Sequence, residues 1–410
     1  MTSLHSRFQP IAGYVFVALT FLFPIGMGIV QHWGSALFIV MAVISVLVLG
    51  KDWRCYDKNI KLLYAAMGLF VVVSALGLVN TENFSSGLSR LEKLLFLVLA
   101  YPLAVAIRRL DLNLFLPFLY GLLVSGPVYA FAAYYYNHYV NISRATGFYS
   151  SIIFGTAAMT VALLVAAGQF GAGSPKCSRL IILFSFICAV IAAIASGTRG
   201  VWLAFPVVLT LWMVVSLRSL TLKKATVLFV LIFSVVLVFS QNEYAHVRVQ
   251  QVFSDLQSFR SGEKVNTSVG VRLMLWEEAV SIWHDNPFLG TGPGDFRFDI
   301  KNRIDSNQTP LQKGYTHAHN IFLHALATTG VVGCAGLIVF VFVVPGLVFV
   351  RMGYDKLSRN LSAQSVMGLT LLLAFAVFGL TEGWTIHTPM VSSFSFMLLI
   401  LVTSQLSSPE

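Results

Sequence analysis

The amino-acid sequence predicts an all-α polytopic membrane protein of about twelve transmembrane helices, with one large helical loop outside the bilayer. Three observations carry this reading. Hydrophobic residues make up 57% of the 410 residues and charged ones 11%, with a mean hydropathy of +0.79. Apolar runs long enough to cross a bilayer, roughly 17–25 residues, recur along nearly the whole chain. Lysines and arginines cluster between those runs, and far more of them fall on one side than on the other. The alternating segments of roughly ten residues that build membrane barrels are absent.

The expected spans are about 11–30, 35–50, 62–79, 90–107, 112–136, 149–168, 180–196, 200–217, 225–240, 321–350, 361–380 and 388–405. The first follows Arg7 and lacks a small-residue cleavage site, so it reads as a span rather than a signal peptide. Lys51, Arg54, Lys58 and Lys61 separate the second from the third. The fourth opens with "LSRLEKLL", bearing Arg90 and Lys93, and closes on Arg108 and Arg109. Lys176 and Arg179 precede the seventh, and the tight turn "SGTRG" joins it to the eighth. Arg218, Lys223 and Lys224 separate the eighth from the ninth. The tenth is long enough to tilt or to begin outside the hydrocarbon. Arg351, Lys356 and Arg359 follow it, and after the twelfth only "SQLSSPE" remains, so no soluble domain is expected there.

With the N-terminus in the cytoplasm, these short inner segments hold fifteen of the 27 Lys and Arg residues, as the positive-inside bias requires. Eight of the others lie in one outer loop that is too long to obey the rule. The net charge of +10 is therefore a signature of topology rather than of nucleic-acid binding. Cys55, Cys177, Cys188 and Cys334 all fall on the inner side or within spans, so no disulfide or zinc–thiolate site is expected in the outer loop. No internal repeat suggests a transporter built from two related halves. The chain divides into residues 1–240 with spans one to nine, 241–320 forming the helical outer loop with part of the functional site, and 321–410 with spans ten to twelve.

Within the outer loop, Val249, Phe253, Leu256 and Phe259 share a helical face. Arg272, Trp276, Ala279 and Trp283 form a second stripe, with Ser268 as its N-cap and Asp285-Asn286-Pro287 as its stop. The segment "NPFLGTGPGDF" carries Gly290, Gly292 and Gly294. It lacks the GK[ST] ending of a phosphate loop and no strand precedes it, so a tight turn is expected, with a backbone contact to phosphate as the alternative.

Ionisable groups at membrane depth are costly and therefore mark candidate sites. Arg199 lies on the outer side, against the charge bias. It is either a snorkelling side chain or an anion-binding fork at a helix N-terminus. Arg272 near the start of a helix opposes the macrodipole, which a bound phosphate would explain. Arg90 and Lys93 are weaker substrate-binding candidates, because Glu92 is adjacent and a solvated helix end explains them. In "GYTHAHNIFLHALATTGVVG", a helix starting near His317 places His317 and His324 on one face and turns His319 away, so the three are not expected to converge. The absence of HExxH, of clustered cysteines and of a nearby carboxylate argues against a metal, so none is expected. A single histidine at a helix entrance suits a general base.

The segments "SGTRGVWLAF" and "THAHNIFLHALATTGVVG" resemble the R-x3-L and H-xn-G motifs of bacterial O-antigen ligases, through Arg199 with Leu203 and His319 with Gly330 and Gly333. "VRLMLWEEAV" leading into "NPFLGTGPGDF" is similar to the wider ligase and polymerase superfamily. The resemblance implies a membrane glycosyltransferase (GT-C-like) bundle in the bacterial inner membrane, with cytoplasmic termini and a periplasmic active site. It implies metal-independent, inverting transfer of a glycan, with no nucleotide or other cofactor, from an undecaprenyl diphosphate-linked O-antigen donor to a sugar hydroxyl of lipid A–core. His319 then serves as the base, with His317 as the alternative, and Arg199 and Arg272 stabilise the departing diphosphate. The partners implied are the lipid-linked donor, the lipid A–core acceptor and membrane lipids, with no nucleic acid. An O-antigen polymerase, or a transporter or flippase of a different class, remains as the alternative reading.

Overall fold

The computed structural model describes residues 2–55, 57–173, 177–216, 222–240, 267–355 and 360–407, with isolated positions between 247 and 257. Helices dominate. Among the described residues, strand is confined to a two-residue antiparallel pairing of β1 (Tyr354–Asp355) with β2 (Asn360–Leu361) and an isolated bridge from Ala172 to Ser362. In chain order the helices are α1 (Thr2–Gly26), α2 (Trp33–Leu49), α3 (Lys58–Leu76), α4 (Phe84–Arg109), α5 (Phe115–His138), α6 (Ser151–Ala167) and α7 (Arg179–Ala195). They continue as α8 (Arg199–Trp202), α9 (Ala204–Ser216), α10 (Leu222–Ser240), α11 (Ser268–Asp285), α12 (Phe296–Asp305) and α13 (Ile321–Gly336). The last three are α14 (Val344–Gly353), α15 (Ala363–Gly379) and α16 (Thr388–Thr403).

Each expected span coincides with a helix, the eighth being split between α8 and α9. Four helical stretches are long and apolar enough to cross a membrane: Gln9–Gly26, Lys58–Asn80, Phe115–His138 and Ile321–Gly353. Shorter apolar helices, such as Ser151–Ala167 and Thr388–Thr403, lie between them. α6 is buried along its full length, and α16 from Met390 onward. A helix apolar all round belongs inside a larger apolar body. Gly155, Ala157, Ala158, Ala162 and Ala166 let neighbours approach α6 closely. α4 packs against α2, α3 and α16 at the centre of the first half. The outer surface is apolar too: Leu180 is 78% and Phe229 66% exposed. Such a surface suits hydrocarbon rather than water, and the architecture is that of an all-α membrane protein.

The tenth expected span is one 33-residue helical stretch with two irregularities. At Gly330 the backbone leaves the helix, at φ 65° and ψ −168°. A Cβ there would sit 2.1 Å from the Phe288 carbonyl oxygen. The break lets the loop before α12 join the helix through its main chain. Val331 N–H donates to Pro287 O (2.8 Å), while Thr291 N–H and Gly292 N–H donate to Ala327 O (3.1 Å) and Thr328 O (2.9 Å). Gly290, Gly292 and Gly294 all have positive φ, so the glycine-rich segment is the expected tight turn, seated against α13 and the start of α4. Residues Leu337–Val343 then widen to a π-helical turn just before Pro345, whose missing N–H breaks the α-helical ladder.

Outside the bundle, α11 lies against α13. Met274, Leu275, Ala279 and Ile282 form a small second core with Phe296, Ile300, Leu311 and Ala318. The sequence reading needs two corrections here. The N-cap is Thr267, whose hydroxyl accepts from Gly270 N–H, rather than Ser268. Of the expected stripe only Ala279 enters the core. Trp276 and Trp283 are half-buried at its margin, because the packed face is turned toward Leu275 and Ile282. Val249, Phe253, Leu256 and Phe259 lie outside the described residues. The Asp295 carboxylate accepts from Glu82 N–H (2.7 Å) and Asn83 N–H (3.3 Å), tying this unit to the segment just before α4.

Candidate functional site

The histidine segment does not begin its helix where the spacing suggested. α13 starts at Ile321, with the Asn320 side chain as N-cap accepting from Phe322 N–H (3.0 Å) and Leu323 N–H (3.2 Å). His317 and His319 therefore sit in the approach to the helix, where the 100°-per-residue rotation does not apply. His319 adopts a left-handed conformation, with φ 51°. The expectation that His319 turns away from His317 is overturned, and the two rings stand 4.1 Å apart between centroids. Nor do His317 and His324 share a helical face, since His317 precedes the helix. His324 is buried on α13, with its ring edge-on to Phe296.

The two rings meet over a carboxylate from a distant segment. Glu382 lies just beyond α15 and is only 4% exposed. The Thr316 hydroxyl pairs with His317 Nδ1 (2.9 Å), so His317 Nε2–H donates to Glu382 Oε1 (2.7 Å). His319 Nδ1–H donates to Glu382 Oε2 (3.2 Å). His387 Nε2 lies 3.4 Å from Oε1, and Gly383 N–H donates to Oε1 at 3.1 Å. Burial alone would raise the Glu382 carboxyl, but the bonds from His317, His319 and His387 hold it well below the usual range. Burial pushes the His317 imidazole down, against the pull of Glu382, so a neutral ring beside an ionised carboxylate is the resting arrangement.

These groups open onto a cavity of about 400 Å³, lined by Arg144, Arg199, Arg272, Tyr315, His319 and Glu382, among others. Arg199 is the first residue of α8, and Gly200 brings the turn against the Glu382 segment. A Cβ at Gly200 would lie 2.0 Å from Thr381 Oγ1. Arg272 enters from α11. Burial weakens the hold of its guanidinium on the proton; Glu382 opposes that effect, while Arg199 and Arg144 add to it. Arg144 comes from the loop between α5 and α6, where its Nε–H donates to Ser196 O (3.0 Å). Three guanidiniums thus share a pocket with one carboxylate, an arrangement that attracts anions.

Of the residues singled out in the sequence, Arg199, Arg272 and His319 line this cavity. His317 supports it from behind, through Glu382. Arg90 and His324 line a different, smaller cavity. Lys93 lines neither, and its ammonium donates to the Ile386 carbonyl (3.0 Å), tethering the segment that follows Glu382. Arg144, Glu382 and His387 were missed. The signal that flagged Arg199, an ionisable group at a span end, applies equally to Glu382 in "GLTEGWTIHTP".

His317, His319 and Glu382 could hold a metal ion, since their ligand atoms lie within 4.8 Å of one another. The contact lengths favour hydrogen bonding. Two ligands held about 2.0–2.1 Å from a tetrahedral zinc stand roughly 3.4 Å apart. His317 Nε2 and Glu382 Oε1 stand at 2.7 Å, a hydrogen-bond length.

Comparison with known proteins adds two findings. An uncharacterized protein of Haemophilus influenzae is 24% identical over 232 residues, covering 54% of this chain and 56% of that protein. The match thus spans little more than half the length of this curated relative. The family model described as O-antigen ligase matches residues 184–338, a region containing Arg199, Arg272, His317, His319, Gly330 and Gly333 but not Arg144 or Glu382. The match and the cavity geometry together support membership of the O-antigen ligase/polymerase superfamily.

Proposed function

We propose that the protein is an O-antigen ligase of the bacterial inner membrane, crossing it about twelve times as a GT-C-like bundle with the cavity facing the periplasm. The observation that carries this reading is the convergence of Arg199, Arg272 and the His319–Glu382 pair on one cavity. The donor is an undecaprenyl diphosphate-linked glycan and the acceptor a sugar hydroxyl of lipid A–core. With Nδ1–H committed to Glu382, His319 Nε2 is the free basic nitrogen, able to take the acceptor hydroxyl proton. The hydroxyl oxygen attacks the anomeric carbon from the face opposite the diphosphate, giving inversion. The bond from that carbon to the diphosphate oxygen breaks, and its electron pair leaves with the diphosphate. Arg199 and Arg272 meet the growing negative charge, and Arg144 adds a third guanidinium. The proton stays on His319, where ionised Glu382 stabilises the imidazolium.

The experiment is a product assay with purified protein, lipid-linked glycan, and lipid A–core present or omitted. Glycan attached to lipid A–core is expected. Longer lipid-linked glycan made without the acceptor would instead identify a polymerase, and absence of any new bond would return the protein to the transporter class. The clustering of charge at one end of the bundle, rather than along a path through it, favours chemistry over transport.

A further inference from the structure

A second cavity, of about 60 Å³, is walled by the continuation of the two segments that build the first. Ile321 and His324 follow His319 into it, and Thr385 and Ile386 follow Glu382. Its other walls include Ser74, Arg90, Pro293 and Gly294. Among the described residues no carboxylate lines it, and Arg90 has no hydrogen bond or ion pair. His324 is 8% exposed, and its Nδ1 is buried with no partner among the described residues. Each of these is costly. A partly buried guanidinium without a counter-charge retains most of its desolvation penalty, and an unsatisfied buried ring nitrogen forgoes the hydrogen bond it would make in water. Both residues line the same small space.

We propose that this cavity binds a phosphoryl oxyanion, at a site separate from Arg199 and Arg272. The guanidinium offers a planar fork to two oxygens, and His324, on the same wall, can turn its ring to donate to a third. Ser74 and Thr385 add hydroxyls to the lining. A water needs roughly 10–15 Å³ of such space, so the cavity seats a phosphoryl group but not a sugar. The phosphoryl group is therefore either the headgroup of a membrane lipid reaching in from the bilayer or a free phosphate ion. Binding here requires no transfer activity, so its failure and the failure of the ligase reading are separable.

The test is thermal unfolding of the purified full-length chain in maltoside, titrated with inorganic phosphate. Because a ligand that binds only the folded state raises its stability with concentration, a site appears as a saturable rise in Tm. Arg199→Gln/Arg272→Gln removes the first cavity's contribution, and this double variant is expected to keep a rise in Tm. Adding Arg90→Gln is expected to abolish that rise. A double variant already blind to phosphate, or a triple variant still responding, would overturn the proposal. If the triple variant does not fold, Arg90→Lys on the double background should weaken the response by several fold, and an unchanged response would count equally against the site. Repeating the titration with phosphatidylglycerol in the micelles separates the sources. A lipid headgroup in the cavity abolishes the response to free phosphate, and a free-phosphate site leaves it intact.

Discussion

His319 holds a left-handed backbone at φ 51°, which costs a non-glycine residue about 1–3 kcal/mol. The gain is placement, since the ring faces the cavity with one nitrogen fixed by Glu382. His319→Ala is expected to lower transfer by roughly 10²–10⁴ while leaving lipid-diphosphate binding largely intact, as single-turnover and binding measurements would show. Glu382→Gln keeps the shape but removes the anion. It is expected to lower kcat on the order of 10²–10⁴-fold with little change in KM, because the imidazolium formed on His319 loses its counter-charge. An unchanged kcat would make Glu382 a structural group only. Arg199→Lys and Arg272→Lys are each expected to lose most activity and weaken donor binding, because an ammonium lacks the planar fork. Burial holds the His317 proton affinity below its ordinary value of 6.5. The unfolded chain then binds more protons below pH 6.5, so this group contributes a loss of stability as pH falls through that value, and none above it. Tm measured against pH should show the decline in wild type and a flatter curve in His317→Gln.

The helices were legible in the sequence because apolar runs and basic interruptions are local signals. The site was legible only where its residues violate a local rule, as Arg199 does by its expected place on the outer side. Glu382 and Arg144 sit 63 and 175 residues from His319, and no periodicity links them to it. The histidine geometry was misread for a related reason. The N-cap Asn320 starts the helix three residues after His317, and a left-handed residue lies between them. Gly330 belongs to the same class of hidden constraint. Gly330→Ala would place a methyl group 2.1 Å from Phe288 O in a backbone region that only glycine occupies readily. It is expected to destabilise the fold by about 1–3 kcal/mol or more, and limited proteolysis should cut first between α11 and α12.

At the level of the whole molecule, three guanidiniums face one carboxylate in the cavity, and under the proposed mechanism they stabilise the departing anion without a divalent ion. Transfer by purified protein is expected to continue in EDTA. Collapse of activity in chelator, with recovery on adding a divalent ion, would assign the His317–His319–Glu382 group to a metal instead. The proposed topology makes its own prediction. In a cysteine-free background, Asn307→Cys should react with a membrane-impermeant maleimide in intact spheroplasts, and Asp52→Cys only after permeabilisation.

The main-chain bonds at Gly330 have a mechanical consequence. They join the unit that carries Arg272 to a stretch of 33 residues long enough to cross the bilayer. Such a stretch answers a change in hydrocarbon thickness by tilting. The loop cannot slip along it, because backbone bonds fix the register, so tilt is transmitted to the distance between Arg272 on α11 and Arg199 on α8. The enzyme would then sense the thickness of its membrane. In phosphatidylcholine vesicles of graded acyl length, turnover should pass through a maximum, falling on both sides while donor chemistry stays the same.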